Sequence, residues 1–169
     1  VHSGFACIDC HMDLDGVELP HDEELEAVDC AMCHDDMAEE LAAGPHGKWA
    51  TDPLSPAATC SGCHGVHDVL SSKSVGSPTG PARVSQLCAK CHASTLKTVS
   101  ASPHGTNIGG RPAANCTDCH RTHSVTAPSQ PLAQVVACGA CHEKQARENR
   151  DSLHGLAAVK GDPAAPNCI

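Results

Sequence analysis

Six times along this chain two cysteines stand three positions apart with a histidine directly after the second. The copies are Cys7, Cys10 and His11; Cys30, Cys33 and His34; Cys60, Cys63 and His64; Cys88, Cys91 and His92; Cys116, Cys119 and His120; and Cys138, Cys141 and His142. That spacing is the attachment pattern of a haem c. Two thiols add across the vinyl groups of a porphyrin, and the two residues between them match the span of the ring edge. The following histidine then lies under the iron as its proximal axial ligand. With 13 His in 169 residues, chance does not place one after every pair, so six complete haem c sites are expected.

Two other uses of cysteine fit poorly. A disulfide framework gives no reason for a histidine after each pair, and structural zinc needs two CxxC halves per site. Cys168 is left over. Pro166-Asn167-Cys168 echoes Ala114-Asn115-Cys116, and the reading is that a seventh motif begins at Cys168 and is completed beyond Ile169.

Seven histidines lie outside the motifs: His2, His21, His46, His67, His104, His123 and His154. Six irons need six distal ligands, so the near-equality predicts bis-histidine haems, low-spin and closed to substrate. Methionine is the competing ligand, but Met12, Met32 and Met37 lie in or beside the motifs rather than at ligand spacing. His67 and His123, three residues past a proximal histidine, cannot curl round to the far face of the same porphyrin. They must serve neighbouring haems or none.

The same histidines expose a repeat. His46, His104 and His154 each precede Gly and each follow a proximal histidine by twelve positions. The unit is CxxCH, a spacer, His-Gly, a Pro/Ala-rich loop, then CxxCHxxH, a period characteristic of stacked copies of one supersecondary unit. Residues 30–67 form one two-haem repeat, 88–123 a second, and 138–169 a truncated third. Residues 1–29 form an irregular leading segment in which Cys7–His11 resembles the second half of a unit. All of 1–169 is read as one multihaem domain.

The elements that must position these residues are sparse. One Trp, one Phe and no Tyr leave little side-chain material for a core, while 12 Pro and 14 Gly predict irregular backbone. The expected fold is mostly irregular with a few short α-helices and little or no sheet, templated by a chain of haems that acts as the core. The apoprotein is expected to be disordered. Asp35–Ala43 reads as an acidic helix stopped by Gly44-Pro45, Glu143–Leu153 as a second, and Ala93–Ser102 as a weaker one. Segments 50–59, 76–83, 107–115 and 125–133 read as Pro/Gly/Ser-rich loops.

Charge is uneven. Residues 1–47 hold 13 of the 20 acidic residues and no Lys or Arg, whereas 48–169 carry 11 basic and 7 acidic residues. An acidic chain is no partner for nucleic acid, and no run of about 20 apolar residues spans a membrane. The acidic 22–40 run reads as a solvated helical face, or as a head that docks a basic surface.

On its six motifs and their doubled arrangement, the chain resembles multihaem c-type cytochromes, among them periplasmic electron carriers, decahaem conduits and subunits of extracellular cytochrome filaments. The resemblance implies an exported prokaryotic protein, periplasmic or extracellular, that transfers electrons and is not an enzyme. It implies partners that are other redox proteins or copies of itself, with a head-to-tail homopolymer and an extracellular metal or mineral acceptor as further expectations. The alternatives are a conductive filament subunit and a multihaem reductase. The last needs an open iron, and the distal histidines suffice to close every one.

Overall fold

In the computed structural model of the chain, the described residues are 1–18, 20, 25–50, 58–107, 112–125 and 131–166. Regular structure among them is helical throughout, with no strand. Two compact units divide the chain, Val1–Arg83 and Val84–Ile169.

In the first unit the motif-bearing segments Cys7–Asp9 and Cys30–Met32 are single 3₁₀ turns, as is Met12–Leu14. Helix α1, Asp35–Ala43, follows directly on His34. Asp35 and Asp36 in its first turn complement the positive end of the helix dipole, and Ala, Glu and Leu supply propensity. Gly44 ends it in an extended conformation, its N–H donating to the Leu41 carbonyl at 3.0 Å. Chain direction changes there, but helix does not stop: Pro45 occupies the first position of α2, Pro45–Ala50, where its missing N–H costs nothing. Gly44-Pro45 is a corner, and residue 50, expected in a loop, is instead the last of α2, while positions 51–57 of that expected loop lie outside the described residues. Helix α3 is the motif Cys60–His64 itself. The expected loop at 76–83 is built of regular steps, with N–H groups of Ser74, Ser77, Gly80 and Arg83 each donating to the carbonyl three residues back.

The second unit opens with α4, Val84–Ser100, broken at His92. The expected weak helix after His92 is thus present, ending at Ser100 and continuous in sequence with an unanticipated helix before it. After a 3₁₀ turn at Pro103–Gly105 come α5, Cys116–Cys119; α6, Pro131–Gly139; α7, Glu143–Arg150; and α8, Leu153–Val159. Two expectations are corrected here. Residues 131–133 are helical rather than loop, because Pro131 starts α6 in the same first-turn role. The helix from Glu143 ends at Arg150 rather than Leu153, because Ser152 caps a new helix, its Oγ accepting the Gly155 N–H at 3.3 Å.

Buried apolar side chains are few: Val84, Val135, Ala146 and Ala165 among the described residues. Val135 and Ala146 join α6 to α7, and Gly139 lets them approach, since a Cβ there would stand 2.9 Å from that of Ala146. Apolar groups beside the first motifs face outward instead, with Phe5 61 % and Met12 56 % exposed. So small a core leaves polypeptide packing alone a weak source of stability.

Candidate haem-binding sites

Each cysteine motif is wound as one helical turn. The His11, His34, His120 and His142 N–H groups donate to the carbonyls of Cys7, Cys30, Cys116 and Cys138 at 2.8, 3.0, 2.9 and 2.9 Å. Helical winding puts positions i, i+3 and i+4 on one face, so both thiols and the imidazole project the same way. Local caps set these turns. Asp29 accepts from Ala31 N–H at 2.9 Å, Thr59 from Gly62 N–H at 3.1 Å, and Asn115 from Thr117 N–H at 2.9 Å. Asp9 and Asp118 reach back to the N–H groups of Ala6 and Asn115, both at 2.8 Å.

The residues present fit a haem c. All twelve motif cysteines carry free thiols. At His11 the ring Nδ1 is buried without a hydrogen-bond partner, and exposed apolar groups, Phe5, Ile8 and Met12, flank that motif. An orphaned imidazole nitrogen beside uncovered apolar surface is what an apolar, metal-bearing ring would satisfy. Among the described residues no three His, Cys, Asp or Glu groups converge on one point.

Backbone conformation separates the motifs into the two classes of the repeat. His34, His92 and His142, the first-motif histidines, take nearly one conformation, with φ/ψ of −122°/46°, −109°/42° and −107°/53°. Each is followed at once by helix, α1, the second half of α4, and α7. Each of those helices is followed within a few residues by a His-Gly pair, in α2, in the 3₁₀ turn Pro103–Gly105 and in α8, and the glycines share one role. A Cβ on Gly47 would collide with the Leu41 carbonyl and Ala42 backbone, on Gly105 with Val99 and Ser100, and on Gly155 with Asn149 and Arg150. The offset is six and five residues each time. Glycine is required because the chain turns back tightly against the helix it has just left, and that turn presents the preceding histidine.

A serine reinforces the turn in two copies. The hydroxyls of Ser102 and Ser152 donate to the Val99 and Asn149 carbonyls at 2.7 and 2.6 Å, and Ser102 Oγ accepts the His104 N–H at 3.2 Å. Sequence reading included the His-Gly pairs in the repeat without giving the glycines a role, and it missed the serines, although Ser at two of three positions before the pair carried the signal.

Among the described residues, His2 and His34, His11 and His67, and His104 and His142 face each other at nearly one separation. Ring centres are 6.0 Å apart for His2 and His34, 6.1 Å for His11 and His67, and 6.1 Å for His104 and His142. Each pair joins one motif histidine to one histidine outside the motifs. The rings are tilted by 54°, 42° and 70°, so they are not stacked. Phe5 supports the first pair edge-on, its ring centre 5.7 Å from that of His2. His154, exposed on α8, faces no other imidazole among the described residues. His46 is half-buried beside Gly47; His64, His92, His120 and His123 stand in or next to their motifs. His21 and Cys168 lie outside the described residues.

Thiols of different motifs also meet. The Cys30 thiol donates to the Val28 carbonyl at 3.9 Å, and burial, then the nearby Cys60 thiol, raises its pKa above the ordinary value. Burial, then Cys138 and Asp118, do the same at Cys119. The Cys116 thiol donates to Ser85 Oγ at 3.7 Å, tying α5 to the start of α4.

Against known proteins, the sequence model of the cytochrome c3 family matches residues 1–93, more than half of the chain. No curated protein and no solved structure matches it.

Proposed function

The chain belongs to the cytochrome c3 family of multihaem c-type cytochromes, and we propose that it carries single electrons through six closely packed haems c, each iron held between two histidines. Electron transfer is the family's activity. The observation that supports the finer reading is the recurring separation of about 6 Å between a motif imidazole and one outside. Two imidazoles bound through nitrogen on opposite sides of one metal, at about 2 Å each, have ring centres roughly 6 Å apart.

When bound, haem supplies the one-electron iron couple. The protein's residues would hold it: the cysteine pairs would bond the ring edge, and the motif histidine and the histidine facing it would ligate the iron. With both axial positions held by the chain, water and substrate are kept off the metal, which favours a carrier over a reductase. The six sites are Cys7–His11, Cys30–His34, Cys60–His64, Cys88–His92, Cys116–His120 and Cys138–His142. Intact-mass determination should show six covalent haems, and the oxidised protein should give low-spin signals alone in electron paramagnetic resonance. A high-spin signal in the native protein counts against closed irons.

Export to the periplasm or the cell exterior follows from haem c attachment as the family practises it, and no described helix is long and apolar enough to cross a membrane. The partners proposed are redox proteins with a basic surface. Assembly of copies into a conductive filament is a second reading, favoured by the confinement of Lys and Arg to residues 48–169. Electron microscopy of purified protein over a range of salt concentrations tests it, with monodisperse particles throughout as the outcome against it.

A further inference from the structure

We infer that the sixth ligands are exchanged between motifs: His67 serves the haem at Cys7–His11, His2 serves the haem at Cys30–His34, and His104 serves the haem at Cys138–His142. This assignment rests on the bis-histidine reading above and names its partners.

Three observations converge on it. Separations of 6.0, 6.1 and 6.1 Å match what one metal between two imidazoles requires. Each of these three pairs contains one motif histidine and one histidine outside the motifs. The pairs also join residues 32, 56 and 38 positions apart in sequence, so no local turn holds the rings opposed.

The donors come from far along the chain. His67 sits three residues beyond His64, so the Cys60–His64 segment supplies a ligand to the first haem. His2 precedes Cys7 by five residues, so the segment leading into the first motif supplies the second haem. The three sites of the first unit are therefore linked through the first: it takes a ligand from the third segment, and the residues leading into it give one to the second.

The test uses the full-length holoprotein. In the reduced protein, whose low-spin irons are diamagnetic, nuclear Overhauser contacts should connect the rings of His11 and His67 to the two faces of one porphyrin. That porphyrin should be the one attached to Cys7 and Cys10. The same pattern is expected for His2 with His34 and for His104 with His142. A ring of His67 against any other porphyrin overturns the assignment. Independently, His67→Met should convert one haem in six to the His/Met type, with its sulfur–iron charge-transfer band. Adding Cys7→Ala and Cys10→Ala, which removes the first haem, should abolish that band; its persistence overturns the assignment. If the doubly substituted protein does not mature, the Overhauser contacts of the native protein still decide. High-spin haem in the native protein would sink the bis-histidine reading itself, whereas low-spin haems with different partners would sink only this assignment.

Discussion

The imidazoles of His104 and His142 stand 6.1 Å apart, ring centre to ring centre, although they belong to different repeats and different helical segments. His104 is delivered by the tight turn after α4, and His142 by the helical turn that closes on Cys138. That separation is the one on which the proposed pairing of these two histidines about one iron rests.

Removing one of them should open one iron. His104→Ala is expected to turn one haem in six high-spin in the oxidised protein and to let that haem bind carbon monoxide when reduced. His104→Met should keep it low-spin with an altered absorption spectrum. Electron paramagnetic resonance and carbon monoxide titration read both outcomes.

The glycine beside it should matter as much as the ligand. Gly105→Ala places a methyl group against the Val99 carbonyl and the Ser100 backbone, an overpacking that costs about 1–3 kcal/mol. The turn can relieve it only by moving His104 away from His142. Lower thermal stability together with partial high-spin character at one haem is the expected pair of effects. Gly155→Ala, in the same relation to Asn149 and Arg150, should lose similar stability.

Ser102→Ala should have a milder effect. Its hydroxyl donates to the Val99 carbonyl and accepts the His104 N–H, and loss of such a cap costs about 1 kcal/mol. A lowered unfolding midpoint with all haems still low-spin is expected, measured by denaturant titration of the holoprotein.

Polypeptide packing alone should not hold this fold. With Val84, Val135, Ala146 and Ala165 as its buried apolar side chains among the described residues, the chain produced without haem attachment should show no cooperative thermal transition by circular dichroism. Holoprotein should melt cooperatively. A sharp transition in the haem-free chain would show that the haems are passengers on a self-sufficient fold.

Association with a basic redox partner should weaken with salt. All 13 acidic residues of positions 1–47 lie in a stretch without Lys or Arg, so attraction to a positive surface is screened as the Debye length falls from about 10 Å at 0.1 M to about 3 Å at 1 M. Second-order electron-transfer rates measured by stopped flow should drop several-fold across that range.

Much of the architecture was legible before any fold was known. The helix Asp35–Ala43 was placed residue for residue, since its acidic first turn, Ala/Glu/Leu body and terminal glycine all act within a few positions. The twelve-residue interval drew attention to each His-Gly pair, where glycine allows the chain to turn back against the preceding helix. Other signals misled. Gly44-Pro45 reads as a stop, but proline at a first helical position starts α2 as easily as it ends α1. Residues 131–133 looked like loop for the same reason. The recurring His-Gly pairs marked a pattern, but not why glycine is needed, because the backbone it must avoid becomes visible only when the chain has folded back.

The expectation of haem c follows from sequence alone, because two thiols and an imidazole within one helical turn can hold one haem, the thiols at its edge and the imidazole at its iron, and need nothing from the rest of the chain. The second ligand proposed for each iron is a different matter. Which histidine meets His11, His34 or His142 depends on where distant turns come to rest, and no spacing rule carries that information. Seven candidate histidines were countable in the sequence, but opposing His2 to His34, His67 to His11 and His104 to His142 was the work of tertiary packing, since a ligand across a metal is a contact between segments rather than a property of either one.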